Sequence, residues 1–232
     1  ASPGTAVPGL FRARLVRRPA ARKILPPRGD RRPGRRPVFW CRVTRPRRVA
    51  VLGSTGSIGT NALDVAAALP DRLAVAGLAA HGKWRELADQ CRRFRPRVAV
   101  LTDPEAFAAA DRSAFPRETE LKGGPDAACE LAAAADVDVV LAAVVGAAGL
   151  ASSWAALEAG KTLALANKET LVVGGPLVTD LAARRGATLL PVDSEHSAVF
   201  QALTGCPPEQ VERVVLTASG GPFRGKTATE LE

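Results

Sequence analysis

Beyond residue 48, short runs of apolar and often β-branched residues alternate along the chain with longer stretches rich in Ala and Leu. Continuous apolar runs are typical of strands buried on both faces, and the Ala- and Leu-rich stretches favour helices. The alternation predicts an α/β fold, a Rossmann-like, doubly wound parallel sheet with helices on both faces. The runs predict strands at residues 49–52, 73–79, 97–101, 137–145, 162–166, 187–192 and 211–217, and helices at 125–135 and 150–158.

The turn after the first predicted strand contains three glycines, Gly53, Gly56 and Gly59, with the spacing GxxGxxG, and residues 61–66 continue as a helix. Glycines at a strand-to-helix turn permit a tight bend and a close approach of the backbone to a ligand. The free N–H groups and the positive end of the following helix favour an anion. The turn is therefore a candidate phosphate-binding loop, the alternative being a glycine-rich turn with no ligand.

The loop after the second predicted strand bears on which dinucleotide would bind. A site for NAD places an acidic residue there to accept a hydrogen bond from the ribose 2′-hydroxyl. This loop reads His81, Gly82, Lys83, and no acid occurs before Glu86. A basic loop favours a 2′-phosphate and hence NADP(H), although an ordinary turn with solvated charges fits the same residues.

Asp193, Ser194, Glu195 and His196 follow the predicted strand at 187–192. If this segment is extended, residues two apart point to the same side, so that both carboxylates can face one point. Such a pair suits a hard divalent cation such as Mg²⁺ or Mn²⁺. The alternative is that Asp193 or Ser194 caps a helix over residues 197–203. His196 is interpreted as a structural or supporting residue and not as a ligand.

Two further predicted strands end in polar residues. Asn167, Lys168 and Glu169 follow the strand at 162–166, and Ser219 precedes two glycines after the strand at 211–217. Ligands of open α/β sheets bind at the carboxyl ends of the strands, where these residues are expected. Lys168 could bind an anionic or carbonyl oxygen, Glu169 could orient it, and Ser219 with the glycine N–H groups could hold a phosphate.

Positive charge is concentrated in the first 48 residues, which contain 15 of the 32 Lys and Arg residues and one of the 23 acidic residues. Arginine pairs interleaved with proline cannot build a core, so this arm is expected to be disordered. The arm could be a targeting peptide, a nucleic-acid-binding segment or translated upstream sequence. No apolar run reaches the roughly 18 residues of a membrane span, and the polar residues after 225 suggest a chain that has been cut short.

Five segments in order, GSTGSIGT, AAVVGAAGL, LANKETLV, LLPVDSEHSAVFQAL and LTASGGPFR, closely resemble the 1-deoxy-D-xylulose 5-phosphate reductoisomerase family. That family uses NADPH and a divalent metal, Mg²⁺ or Mn²⁺. The resemblance spans residues 49 to about 224. It implies an NADPH-binding Rossmann-like domain at 49–190 and the beginning of an α+β catalytic domain at 191–232, whereas the arm at 1–48 matches nothing in the family.

The resemblance also implies roles for individual residues. The metal ligands would be Asp193 and Glu195, which with Lys168 form the catalytic group. The positions that would contact substrate are Lys168, Ser194 and Ser219. The positions that would contact NADPH are Thr55, Gly56, Ser57, Ile58, His81, Gly82, Lys83, Asn167 and Glu169. The loop at 81–83 departs from the family's Gly-Lys/Arg-Asn pattern, so its contacts with the 2′-phosphate do not carry over directly.

The activity implied is the rearrangement and reduction of 1-deoxy-D-xylulose 5-phosphate to 2-C-methyl-D-erythritol 4-phosphate in the non-mevalonate isoprenoid pathway. The family continues with a third metal-ligating Glu, further phosphate-binding residues, a lid and a C-terminal helical domain, so the chain is expected to be an inactive fragment. A phosphorylated sugar is the expected partner, with a homodimer in the full-length form and neither membrane nor nucleic acid involved. The expected location is the bacterial cytoplasm, or a plastid if the arm is a transit peptide.

Two other functions fit parts of the sequence. An NADP-dependent dehydrogenase of the semialdehyde or homoserine type also opens with a strand and a glycine-rich turn, but it lacks the Asp193–His196 segment. A non-catalytic protein that binds nucleic acid through the arm would show binding that is sensitive to salt and lost when residues 1–48 are deleted.

Overall fold

The computed structural model of the chain describes residues 11–12, 45–216 and 225–231. The chain divides into two compact units, one formed by residues 42–197 and the other by residues 1–41 together with 198–232. None of the helices in the described ranges is long and apolar enough to cross a membrane. The predicted disorder of the arm falls almost entirely on residues outside these ranges, as does Ser219.

The larger unit is built on a seven-stranded parallel sheet with the order β5-β4-β3-β2-β6-β7-β8. The order reverses between β2 and β6, which lie side by side although three other strands separate them in the chain. The strands are β2 (Arg47–Leu52), β3 (Leu73–Ala80), β4 (Val98–Leu101), β5 (Glu120–Gly123), β6 (Val139–Ala142), β7 (Thr162–Leu165) and β8 (Thr188–Pro191).

Helices cover both faces of this sheet, which the alternating apolar side chains of the strands require. In β2, Ala50 and Leu52 join one core cluster with α4, α5 and α6, whereas Val51 joins a second cluster with α1 and α2. Every residue of β4 is buried, as expected for a strand covered on both sides. The helices of this unit are α1 (Ser57–Ala68), α2 (Trp84–Phe94), α3 (Pro104–Ala109), α4 (Pro125–Ala133), α5 (Leu150–Glu158) and α6 (Glu169–Arg185). A further helix, α7 (Ser194–Leu203), begins in this unit, and its residues from 198 onward belong to the smaller one.

The smaller unit contains little regular structure among its described residues. A two-residue strand, β1 (Phe11–Arg12), pairs antiparallel with β9 (Val215–Leu216). Short 3₁₀ turns occur at Pro208–Gln210 and Ala228–Leu231. Within the described residues, the strand predicted over 211–217 is therefore reduced to two residues.

The predicted α/β fold with a doubly wound parallel sheet is confirmed, and six predicted strands lie in the sheet. Two strands differ from the prediction. β5 was not predicted because its residues, Glu-Leu-Lys-Gly, form an edge strand with one neighbour and little apolar burial. β6 ends at Ala142, three residues before the end of its apolar run, because Val144 and Val145 leave the sheet and Val145 is exposed.

An ion pair and its hydrogen bonds connect the beginnings of β2 and β6. The guanidinium of Arg45 donates two hydrogen bonds of 2.8 Å to the carboxylate of Asp138, and the backbone N–H of Arg48 donates a third of 2.8 Å. Arg47 and Arg48 belong to β2, although the sequence pattern assigned them to the arm. The first residues of a parallel strand can keep their charged ends in solvent, so their arginines do not prevent strand formation.

The hydrogen bonds from Arg45 and from the N–H of Arg48 lower the pKa of Asp138 from 3.8 to about 2. The carboxylate thus stabilises the folded state fully above about pH 4, and this stabilisation is lost as the pH falls towards 2. We expect Asp138→Asn to lower the thermal midpoint by roughly 2–4 °C at pH 7, measured by circular dichroism, with a smaller difference at pH 3.

The matched control for this prediction is Glu118→Gln. It breaks the pair between Arg95 and Glu118, whose side chains are 74% and 51% exposed. Exposed pairs contribute little because solvent screens them, so the midpoint should move by less than about 1 °C. Equal effects of the two substitutions, or a difference for Asp138→Asn that grows on acidification, would contradict this account.

Candidate functional site

The glycine-rich turn at residues 53–59 lies where β2 and β6 separate at their carboxyl ends. Gly53 has φ of +84°, and a Cβ there would lie 2.5 Å from the carbonyl oxygen of Ala143, directly after β6. A Cβ on Gly59 would overlap the carbonyl oxygen of Gly53 and lie 2.6 Å from Cα of Ser54. Both positions therefore need glycine, because the turn touches the β6 loop on one side and helix α1 on the other.

Helix α1 begins at this turn with exposed positive potential. Its N-cap residue is Gly56, so no side chain caps the helix, and no acidic residue lies in its first turn. The first N–H groups of a helix have no partner within it. Those at Ser57 and Ile58 therefore remain available to an anionic ligand, which the helix dipole favours.

A cavity of about 510 Å³ opens beside the turn at the carboxyl ends of the central strands. This volume lies within the range of small-molecule and cofactor sites. Three predicted contact residues, Thr55, Gly56 and His81, line it directly. The remaining lining comes from the turn, the ends of β2, β3 and β4, helices α4 and α5, and the β6 loop: Leu52, Gly53, Ala79, Ala80, Thr102, Pro125, Ala128, Cys129, Ala143, Val144, Val145, Ala148, Ala151 and Ser152.

The loop between β3 and α2 supplies the predicted residues His81, Gly82 and Lys83. Nδ1 of His81 lies 3.1 Å from Oγ1 of Thr102, which follows β4. Nζ of Lys83 lies 3.1 and 3.2 Å from the two carboxylate oxygens of Glu86, so its charge is paired. Thr102 was not identified from the sequence, because its role depends on the pairing of β3 with β4.

Asn167 connects two loops at the carboxyl edge of the sheet. It is buried, and its Nδ2 donates to the carbonyl oxygens of Val144 and Gly146, the latter at 2.7 Å. Its Oδ1 accepts from the N–H of Thr170 at 3.1 Å, at the beginning of α6. Asn167 thus fixes the β6 loop that lines the cavity, a role that its position after a predicted strand did not reveal.

The neighbours of Asn167 are more accessible. Lys168 is exposed at the N-terminal end of α6, and Glu169 is half-buried in its first turn. Neither side chain has an ion-pair or hydrogen-bond partner within the described ranges. Both are therefore free to contact a ligand at this edge of the sheet.

Residues 194–196 are helical and Asp193 directly precedes them, in contrast to the extended conformation on which the sequence argument depended. β8 ends at Pro191 and α7 begins at Ser194, so Glu195 lies in the first helical turn. The carbonyl oxygen of Asp193 accepts the first helical hydrogen bond from Ser197 at 2.8 Å. The expectation that strand alternation aligns the two carboxylates was therefore wrong, because Asp193 directly precedes a helix.

The surroundings of these carboxylates differ. The Asp193 side chain is 18% exposed and its Oδ1 lies 3.4 Å from Nδ1 of His196, whereas Glu195 is exposed. Within residues 45–216 and 225–231, no three His, Cys, Asp or Glu side chains are grouped so as to hold a metal ion. Among these residues, therefore, no more than two such side chains could meet at one cation.

The order of strands, the cavity at the point where that order reverses, and the uncapped helix after a glycine turn together define a dinucleotide-binding α/β domain. Comparison with known proteins narrows this class. Residues 49–175 match the 1-deoxy-D-xylulose 5-phosphate reductoisomerase family, and residues 189–232 match the C-terminal domain of the same enzyme. The chain belongs to the 1-deoxy-D-xylulose 5-phosphate reductoisomerase family.

Individual relatives agree with this assignment. The 1-deoxy-D-xylulose 5-phosphate reductoisomerase of Rhodococcus jostii is 53% identical over 194 residues, which are 83% of this chain and 47% of that protein. The Zymomonas mobilis enzyme, solved in complex with NADPH, superposes with a TM-score of 0.71 at 43% identity, over 80% of this chain and 49% of that one. A reductoisomerase solved with fosmidomycin and magnesium gives a TM-score of 0.70 at 34% identity, over 79% and 48% of the two chains.

The chain spans about half the length of the curated relatives it matches. Membership of this family argues against the alternative that the chain is an NADP-dependent dehydrogenase of the semialdehyde or homoserine type. Of the five motifs, four lie in the described residues, and the fifth, around Ser219, lies outside them.

We expect Gly59→Ala to destabilise the larger unit by about 1–3 kcal/mol, because the new Cβ meets backbone atoms that cannot move aside. Gly174→Ala is the control, since a Cβ at this helical position would make only ordinary van der Waals contacts, with Val178 at 3.4 Å and Leu150 at 3.7 Å. It should leave the free energy of unfolding unchanged or raise it by up to about 1 kcal/mol. Urea unfolding followed by circular dichroism measures both, and a neutral Gly59→Ala would show that the turn is not closely packed.

Proposed function

We propose that this chain forms the NADPH-binding part of a 1-deoxy-D-xylulose 5-phosphate reductoisomerase, with the first residues of its metal and substrate site. The full reaction would convert 1-deoxy-D-xylulose 5-phosphate into 2-C-methyl-D-erythritol 4-phosphate. The observation that carries the proposal is the glycine-rich turn at 53–59, which lines a cavity of about 510 Å³ in a chain of this family.

The cavity and its turn fit a dinucleotide. Glycine at 53 and 59 lets the turn pack directly against the β6 loop and helix α1, and Gly56 lines the cavity without a side chain. The N–H groups of Ser57 and Ile58 would bind the oxygens of a pyrophosphate. Thr55 and Gly56 line the cavity beside them. When bound, NADPH supplies the hydride for the reduction.

The two ends of the cofactor would be held by loops from neighbouring strands. The loop of His81, Gly82 and Lys83 lies where α/β folds contact the adenosine ribose and its 2′-substituent. Asn167 holds the β6 loop in place, and the carboxylate of Glu169, at the adjoining edge, has no partner among the described residues. These two residues would bind on the nicotinamide side of the cofactor. The Zymomonas mobilis relative was solved in complex with NADPH.

Asp193 and Glu195 would supply two ligands to a Mg²⁺ or Mn²⁺ ion. Carboxylate oxygens are the donors that these hard cations prefer, and His196 beside Asp193 would orient that carboxylate. A bound cation supplies Lewis-acid polarisation of substrate oxygens. Relatives solved with magnesium support the choice of metal.

The substrate would contact Lys168, Ser194 and Ser219. The exposed ammonium of Lys168 can attract and orient an anionic or carbonyl oxygen, because no carboxylate among the described residues neutralises it. Ser194 opens α7, where a helix start favours an anion. A homodimer of the longer form and a cytoplasmic location, as expected for bacterial relatives, complete the proposal.

The activity is tested by following NADPH oxidation with 1-deoxy-D-xylulose 5-phosphate and Mn²⁺. Two proteins are compared, this chain and a chimera that continues it with the corresponding C-terminal half of the Rhodococcus jostii relative. We expect turnover from the chimera and little or none from the 232-residue chain, because half the length of the relatives is missing from it. Robust turnover by the short chain would contradict this expectation.

In the active chimera, we expect Glu195→Gln to lower metal-dependent turnover by at least about 100-fold, because the amide is a poor ligand for a hard cation. NADPH affinity, measured by fluorescence titration, should change little. Glu118→Gln removes another exposed glutamate, which precedes β5 at the amino ends of the strands and thus at the opposite edge of the sheet from the cavity, and serves as the matched control. Persistent activity of Glu195→Gln would show that Glu195 is a surface acid and not a ligand.

A further inference from the structure

His81 directly follows β3 at the edge of the proposed cofactor cavity. In the register of β2 with β3, Leu52 pairs with Ala79, so His81 lies two residues beyond this last pair and one residue beyond the level at which the glycine turn begins. In dinucleotide-binding α/β folds, the end of this strand contacts the 2′-position of the adenosine ribose. His81 thus occupies the position at which such a fold distinguishes a hydroxyl from a phosphate.

The ring of His81 makes one hydrogen-bond contact, through Nδ1, with the residue that follows β4. Its Nδ1 lies 3.1 Å from the hydroxyl of Thr102, and its backbone carbonyl oxygen accepts from the N–H of Asp103 at 3.2 Å. With Nδ1 engaged, Nε2 is the ring nitrogen left to meet a ligand. In its charged form the ring donates from both nitrogens, so Thr102 then accepts from Nδ1 while Nε2 donates outward.

The other cationic side chains of this loop are less suited to binding a phosphate at the ribose 2′-position. Lys83 is paired with Glu86, and the guanidinium of Arg85 stacks 4.4 Å from the ring centroid of Trp84. Neither Lys83 nor Arg85 lines the cavity. Among the described residues that line it, His81 is the only one that can carry a positive charge.

We propose that His81, held by Thr102, binds the 2′-phosphate through Nε2 and is the residue by which this chain prefers NADPH to NADH. The inference rests on the proposed function, because it presupposes a dinucleotide in the cavity. It also explains how a loop without the family's Gly-Lys/Arg-Asn pattern can recognise the phosphate. The preference then depends on pH, since only the protonated ring contributes a charge.

The charged and titratable groups around His81 set the direction of that dependence. Asp103 follows Thr102, and Glu86 with Lys83 and Arg85 belongs to the loop and first turn of α2. Cys129 of α4 lines the same cavity, and burial raises the pKa of its thiol, which keeps it neutral. A bound 2′-phosphate adds negative charge beside the ring and favours its protonation. The affinity for NADPH therefore falls as the pH rises, whereas the affinity for NADH, which has no 2′-phosphate, lacks this pH dependence.

The test measures dissociation constants of the 232-residue chain for NADPH and NADH by nucleotide fluorescence at pH 6.5 and 8.5. NADPH should bind at least about tenfold more tightly than NADH at the lower pH, and the ratio should shrink at the higher one. His81→Gln should weaken NADPH binding by about tenfold at pH 6.5, leave NADH binding within about twofold, and remove the pH dependence of the ratio.

Three further variants make the test specific. Arg85→Gln removes an exposed cation outside the cavity and should leave the ratio unchanged. Thr102→Val removes the hydroxyl that orients the ring and should lower the ratio by less than His81→Gln does. Lys83→Gln should also cost less than His81→Gln, because Glu86 already pairs with the ammonium.

The outcomes separate the two proposals. If the chain binds both dinucleotides but His81→Gln weakens them equally, or Lys83→Gln costs more than His81→Gln, His81 is not the discriminating residue and the proposed function stands. A preference for NADPH that does not change between the two pH values also overturns the inference. If the chain binds neither dinucleotide, the proposed function fails and this inference fails with it.

Discussion

The architecture of the larger unit depends on one close approach, that of the backbone at Gly53 to the carbonyl oxygen of Ala143. These two residues continue from β2 and β6, the neighbouring strands between which the order of the sheet reverses. No side chain fits between them, and none fits between Gly59 and the same turn. Helix α1 can therefore begin directly against the sheet, with its N-cap residue Gly56 in the lining of the cavity and no side-chain cap on its first N–H groups.

A second constraint comes from Asn167, which joins the end of β7 to the loop after β6. Its amide satisfies two carbonyl oxygens of that loop and one N–H of α6. Buried polar groups without partners are costly, so this side chain both closes and stabilises the edge of the cavity. One residue thus sets the relation between the wall of the cavity and the helix on which Lys168 and Glu169 lie.

The sequence predicted those parts of the fold that depend on continuous burial. The apolar runs that became β2, β3, β4 and β7 lie inside the sheet and contain buried residues, and burial leaves a clear signal in composition. The residues of β5 carry no such burial signal, because a polar edge strand is defined by its pairing with the neighbouring strand and not by its own composition. The glycine turn was predicted because its requirement is local, whereas the contact of His81 with Thr102 depends on the pairing of two strands that the pattern alone does not align.

The predicted metal-ligand segment, residues 193–196, also shows what a sequence pattern cannot predict. The types of residue at 193 and 195 suggested a hard cation, but the geometry assumed for them was that of a strand, and the segment is the beginning of α7. A strand-to-helix junction can carry carboxylates as readily as a strand can. The types of the side chains therefore did not determine the backbone conformation of the segment. Only the chemistry of the side chains could be addressed from the residues themselves.

The ion pair of Arg45 with Asp138 has a practical consequence for handling the protein. It fixes the chain at the amino ends of the parallel strands, and the cavity opens at their carboxyl ends, about 20 Å away across the six residues of β2. An affinity tag or fluorescent reporter fused immediately before Arg45 is therefore anchored at the edge of the sheet remote from the nucleotide. Such a fusion can immobilise the unit on a surface and leave the entrance to its cavity facing the solution.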